Sequence, residues 1–290
     1  MLVKLRLWPV RVLWLLLPLA AGPGLLDAVS GRSGPVRSVV EIGLWLAWFL
    51  GLVASLAPST VALTGLRLLA PAAPASALVA AVAGGSATSS TVLSIGYGLL
   101  VMVVAMLPTT GDQMVNGSAY GSERRMALRP PAHLLLGPVP IAWIAVFTGA
   151  TLGPLLLAAR QWLPGVPVTV IGVGAVVLGA RALHQLARRW IVFVPAGFVI
   201  HDYLSLAESI LIQRRQKPTL GPASSELANA LDLSGNALGL ALSVSIADPV
   251  PVALRGKKQI TSTTASTFVF TPSLPGQLLQ EARARAITIG

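Results

Sequence analysis

The sequence predicts a bundle of about six membrane-spanning helices followed by a small, mainly β domain in water. Three observations lead there. Of the 290 residues, 54% are hydrophobic and only 11% charged, with a mean hydropathy of +0.76, whereas a soluble domain carries about 25% charged residues. Long charge-free runs recur up to about residue 187. From residue 188 onward the composition changes to 10 Lys+Arg and 6 Asp+Glu, and no run there is long enough to cross a bilayer. These features exclude an ordinary soluble enzyme and a disordered chain. The absence of cysteine excludes a disulfide scaffold, thiolate metal sites and a cysteine nucleophile.

A hydrocarbon core of about 30 Å needs about 20 apolar residues per helix. The expected spans are 7–27, 38–57, 60–84, 89–108, 133–158 and 165–187. Pro58 cannot continue a helix, and Ser59 or Thr60 can cap the next one. Gly84 to Ser90 is a small polar turn, and Pro164 and Pro167 open the last span near its first turn. Pro71 and Pro74 interrupt the third span, which reads either as one kinked helix or as two half-helices entering and leaving on one side. Lys4, Arg6 and Arg11 before Leu13 to Ala21 also resemble a signal peptide. An uncleaved first helix is the expectation, and cleavage would leave five spans.

Charge sets the expected orientation. With six spans and a cytoplasmic N-terminus, Lys4, Arg6, Arg11, Arg124, Arg125, Arg129, Arg188 and Arg189 flank the inner face. Arg32, Arg37 and Arg160 fall outside. This satisfies the positive-inside bias and puts both termini in the cytoplasm. The net charge of +11 is therefore read as a topology signal, with no nucleic acid expected as partner. Arginine outnumbers lysine 17 to 4, which points to a high-GC bacterial genome.

The division expected is 1–187 for the helices and 188–290 for an aqueous domain. Within the latter, Trp190–Val194 and Phe198–His201 flank a Pro195-Ala196-Gly197 turn and read as a hairpin. Further strand-like runs are 209–213, 238–246, 250–254 and 264–270. A helix follows, with Ser273 as its expected N-cap, Pro275 in its first turn, and Leu278, Ala282 and Ala286 on one face.

That order of strands closed by one C-terminal helix is similar to bacterial pleckstrin-homology-like domains, which often hang from membrane helices. The stretches Arg189 to Asp202, Asn116 to Arg125 and Leu128 to Pro131 also resemble a group of uncharacterised actinobacterial multi-pass membrane proteins. Neither resemblance implies an established activity or a catalytic residue.

The candidate polar groups are few. Arg67 lies within the third span, where an Arg at the centre costs about 2.5–3.5 kcal/mol on the insertion scale. Asp112 and Glu123 are the expected counter-charges, and a structural pair is the reading set against a transport site. Arg181, His184, Arg188 and Arg189 recur at helical spacing with Gln185, either snorkelling at a helix end or forming a face that grips anionic headgroups. Two basic clusters, Arg214, Arg215 and Lys217, and Arg255, Lys257 and Lys258, are candidate lipid or partner contacts. The loop from Asp112 to Arg129 reads either as a flexible topology determinant or as an ordered segment touching the tail domain. Gly149 and Gly153, with Gly172, Gly174 and Gly179, form small faces that let helix backbones approach closely, read as intramolecular packing with dimerisation as the alternative.

No catalytic residue, metal ligand or cofactor site is expected. His133, His184 and His201 lie in different regions, and no paired carboxylates or nucleophile elbow appears. The expectation is a bacterial cytoplasmic-membrane scaffold or regulatory subunit, not an enzyme. Its partners would be membrane lipids and a protein. A small transporter or transport accessory subunit is the alternative, and a membrane enzyme acting on lipid or cell-wall precursors is third.

Overall fold

The computed structural model describes residues 7–84, 88–224, 230–256 and 259–290. Lys4, Arg6, Lys257, Lys258 and the centre of the Gly84–Ser90 turn lie outside the described residues. The chain forms two compact units. One is residues 1–114 with 140–183, and the other is residues 115–139 with 184–290.

The first unit is helical: α1 (Trp8–Val29), α2 (Gly34–Leu56), α3 (Thr60–Leu69), α4 (Ala72–Gly84), α5 (Ser89–Met106), α6 (Pro108–Asn116), α8 (Pro138–Ala158) and α9 (Trp162–Ala187), the last three reaching the boundary of the second unit. Among the described residues six segments are long and apolar enough to span a bilayer, with α3 and α4 together making one of them. The protein is a multi-pass membrane protein. Large apolar side chains such as Trp45, Val61, Val82 and Leu163 point outward, as a lipid-facing surface requires.

The third span is one helix with a joint. Ser59 Oγ accepts from Ala62 N at 3.1 Å and caps α3. Ala70 and Pro71 make the joint, and Pro71 has no N–H with which to continue the ladder. α3 then packs on α2, while α4 packs on α1 and α5. Between helices, side chains donate to backbone carbonyls. Trp14 Nε1 donates to Trp48 O at 2.8 Å, and Trp48 Nε1 returns the bond to Trp14 O at 2.9 Å. The Tyr97 hydroxyl donates to Leu13 O at 3.0 Å, and Trp143 Nε1 to Leu68 O at 2.9 Å. A side chain on Gly51 would overlap the Trp14 ring, so this glycine makes room for the tryptophan pair. The glycine faces of the last two spans meet: a Cβ on Gly149 would lie 2.7 Å from Gly172 O, and one on Gly153 2.5 Å from Thr169 Oγ1. Gly174 has open space and takes no part.

The second unit holds two sheets. β1 (Arg124–Ala127), β2 (Arg189–Val194), β3 (Gly197–Asp202) and β4 (Ile210–Gln213) form an antiparallel sheet in that order. The other sheet has the order β6 (Leu231–Asp232), β8 (Ile260–Phe270), β7 (Leu242–Arg255), β5 (Thr219–Pro222), β9 (Thr288–Ile289). Isolated bridges Leu128↔Pro272 and Leu206↔Leu254 stitch the sheets together. Between them lies one apolar core containing Met126, Ile191, Phe193, Ile200, Phe268 and Leu278. The short helix α7 (Ala132–Leu136) precedes α8, and α10 (Pro275–Ala284) lays Leu278 and Ala282 into the core.

The structure corrects several boundaries. The tail domain expected to begin at 188 takes in the connection 115–139. Arg124–Ala127 pair with Phe193–Trp190, Asn116 Oδ1 accepts from Arg125 N at 2.9 Å, and Arg285 Nη2 donates to Ser122 O at 2.6 Å. The loop is thus an ordered part of the sheet domain rather than a flexible tether. The runs expected at 238–246 and 250–254 fall in a single strand, β7, which begins only at Leu242 and has a bulge between Ser245 and Val250. Ser273 does not cap α10; Leu274 holds that position without a side-chain bond. Ala286 is exposed with φ of +56°. The helix has already turned left-handed there, and Ile287 enters the core instead while its N–H bonds Ala282 O at 3.0 Å.

Candidate functional site

The neighbouring arginines 188 and 189 take opposite roles because strand geometry alternates. β2 sends Arg189, Ile191 and Phe193 inward. The tight turn then fixes the hairpin register, in which Arg189 stands opposite Asp202. Arg189 is 2% exposed. Its Nε and Nη2 donate to the two Asp202 oxygens at 2.8 Å each, a bidentate pair. Nη1 also donates to Arg129 O at 2.7 Å and Nη2 to Leu233 O at 2.8 Å. Asp202 Oδ1 also accepts from Leu204 N at 3.0 Å. Arg189, expected as a lipid or partner contact, is instead a core residue joining three chain segments. A surface cation would need its guanidinium in water, and this one has every direction filled by protein.

Arg188 faces the other way. Its Cζ lies 4.1 Å from the centroid of the Tyr203 ring, and Arg255 Cζ lies 4.5 Å from the same ring. The backbone enforces this convergence. Tyr203 N bonds Arg188 O at 3.2 Å, Arg255 N bonds Ser205 O at 2.9 Å, and Ala207 N bonds Ala253 O at 2.9 Å. The segment after β3 is therefore pinned between the start of β2 and the end of β7. Together these residues wall a partly open pocket of about 140 Å³ whose lining also includes His201, Leu206, Glu208 and Ser209.

Pocket electrostatics are lopsided. The Asp202 charge is matched by Arg189. Among the described residues no carboxylate forms an ion pair with Arg188 or Arg255. His201 Nδ1 shares a hydrogen bond with Ser209 Oγ at 2.8 Å, and its ring stacks on Trp190 with centroids 4.4 Å apart. Burial holds the His201 imidazole below its ordinary pKa. The Arg188 charge adds to that shift, with a smaller push from Arg125, and Asp202 opposes it. The neutral ring is the favoured form.

The other candidates are dispersed. Arg181 is exposed on α9, and His184 is half-buried one turn later. Arg67 is half-buried, with its Nε enclosed and without a hydrogen-bond partner. Its Nη2 lies against Gly111, beside the fully buried Asp112. Glu123, the other expected counter-charge, instead pairs with Arg125 at 3.5 Å and accepts from Tyr120 N at 3.3 Å. Arg214, Arg215 and Lys217 are exposed on a 3-10 turn after β4, held by a Gln213–Gln216 capping box. Among the described residues no group of His, Asp and Glu is placed to hold a metal ion.

Sequence reasoning missed Tyr203 as the point where Arg188 and Arg255 meet. Their separation in sequence is large, and the backbone bonds of residues 203–207 to Arg188, Ala253 and Arg255, with the Leu206↔Leu254 bridge, bring them together. Arg189, by contrast, had a signal: alternation along β2 and the hairpin register set it opposite Asp202. No family model, curated protein or solved structure matches the chain.

Proposed function

We propose that the protein is a non-enzymatic scaffold or regulatory subunit of a bacterial cytoplasmic membrane, with both termini cytoplasmic. Its sheet domain serves a protein partner or anionic lipid. One observation carries the reading: β1 precedes the α8–α9 pair, β2 follows it, and the two strands are hydrogen-bonded neighbours. The domain is therefore linked to the spans at three points of the chain rather than by one tether. A module on one free linker would have a single such connection. Two helices that leave one sheet and return to it cross the bilayer twice, which agrees with the six-span, arginine-inside orientation. The order of mostly antiparallel strands before α10 is what favours the pleckstrin-homology-like resemblance.

The test is a tagged full-length chain in mild detergent, compared with the Arg189→Ala variant. The reading expects a partner that stays at fixed stoichiometry through gel filtration and is lost from the variant. No reproducible partner, or one held equally by both, contradicts it.

A second reading, a small transporter or transport subunit, is favoured by the buried polar residues Thr64, Asp112 and Gln113 in the helical unit, with Arg67 Nη2 against Gly111. Because the chain has no cysteine, a Thr64→Cys variant is a clean probe. Labelling of that thiol by a membrane-impermeant maleimide would favour transport, and complete protection from either side would oppose it.

A further inference from the structure

We propose that the pocket walled by Arg188, Tyr203 and Arg255 binds a phosphate group. The inference rests on the lipid arm of the scaffold reading and names the chemistry of its ligand. Two guanidinium groups stack on one phenol ring at 4.1 and 4.5 Å. Both arginines line the same pocket, and neither has a carboxylate partner among the described residues. Such an arrangement is stabilised by an anion that faces both forks. A carboxylate offers its acceptor sites in a single plane. A tetrahedral phosphate presents oxygens in several directions and can take one fork on each of two edges.

The surroundings agree. Ring stacking restrains both arginines, and Arg255, although exposed, also directs its Nε to Leu206 O at 3.5 Å. Ser209 Oγ adds a hydroxyl to the wall and is oriented by His201. Asp202, which would repel a phosphate, is neutralised by its bidentate bond to Arg189. The volume of about 140 Å³ accepts a headgroup-sized anion and is well below a typical small-molecule cleft. Glu208 is the other carboxylate in the lining and is exposed.

The experiment uses the full chain in mild detergent. Thermal unfolding is followed with inorganic phosphate and with chloride at equal ionic strength. Affinity for nanodiscs of phosphatidylcholine, with and without phosphatidic acid, is measured in parallel. Phosphate is expected to raise the midpoint above chloride. Arg188→Gln and Arg255→Gln should each weaken phosphate affinity roughly tenfold, the scale of losing a charge-assisted bond. Glu208→Gln should strengthen it, and Arg214→Gln with Arg215→Gln should leave it unchanged. If phosphatidic acid binding falls with the same two substitutions, the source is a lipid headgroup. If only inorganic phosphate responds, the source is a soluble phosphate ester.

Equal midpoints in phosphate and chloride overturn the proposal, as does an equal loss in the Arg214/Arg215 control. Should Arg188→Gln fail to fold, the wild-type comparison and Arg255→Lys, which keeps the charge and loses the fork, still decide. A partner that copurifies while phosphate has no effect would leave the scaffold reading standing and remove this one.

Discussion

The helical unit and the sheet domain satisfy buried polar groups in different ways. Among the helices, the cross-helix bonds of Trp14, Trp48, Tyr97 and Trp143 end on backbone carbonyls, as does that of Arg11, whose Nε donates to Ser55 O at 3.0 Å. Helix carbonyls already hold one bond and offer a second lone pair at every turn, so a lone polar side chain in an apolar unit always has an acceptor in reach. The sheet domain instead encloses a full ion pair, Arg189 with Asp202, and the same guanidinium also donates to Arg129 O and Leu233 O. The first arrangement tolerates loss of a member. The second leaves a buried charge if either side is removed.

The sharpest way to break that contrast is Arg189→Ala or Asp202→Ala. Removing one partner of a buried pair costs about 3–5 kcal/mol. Either variant should therefore lose the cooperative unfolding transition of the sheet domain in a thermal melt, while the helical circular dichroism signal persists. A normal melt would show that the pair contributes little.

Next in size is Gly149→Leu. A side chain there meets the Gly172 backbone, and overpacking of this kind costs about 1–3 kcal/mol. Lower detergent stability, with the sheet domain unaffected, is the expected result in a fluorescence-based melt. Trp14→Phe is milder. It removes one of two reciprocal bonds, worth about 0.6 kcal/mol on average in a membrane helix bundle, and its midpoint should move little. A large drop would mean that the tryptophan pair acts as more than two carbonyl contacts.

The smallest expected effect is a pH dependence from His201. Its folded pKa lies below the unfolded value of about 6.5. The unfolded chain therefore takes up the proton first, and stability is full above pH about 6.5 and declines as pH falls through the window toward the folded pKa. Midpoints measured from pH 8 down to pH 5 should show this slope, and His201→Gln should flatten it.

Much of the helical unit was legible because hydropathy is local. Each span is a run of apolar residues long enough for the bilayer, and the observed segments Trp8–Val29 through Trp162–Ala187 overlap the expected ones. The hairpin of β2 and β3 was legible for the same reason, since Pro195 to Gly197 sits between its strands. β1 was not. Arg124-Arg-Met-Ala is four residues, half of them charged, and its pairing with β2 is visible only after two spans have been threaded. The pocket shares this origin, because Arg188 and Arg255 meet only through sheet closure. Basic residues in one sequence cluster, Arg188 and Arg189, proved to face water and core respectively. Spacing by helical period had put them together, and the switch to a two-residue period at β2 separates them.

The central claim is that the connection before α8 and the chain after α9 build one sheet. A disulfide test addresses it directly, because the native chain has no cysteine to compete. Arg125 and Val192 stand directly opposite in β1 and β2, where facing Cα atoms lie about 4.5–5.5 Å apart and within disulfide reach. Mild oxidation of the full-length Arg125→Cys, Val192→Cys variant should give one intramolecular disulfide linking those two peptides by mass spectrometry. Two thiols that both remain open to alkylation in the folded protein would contradict the account.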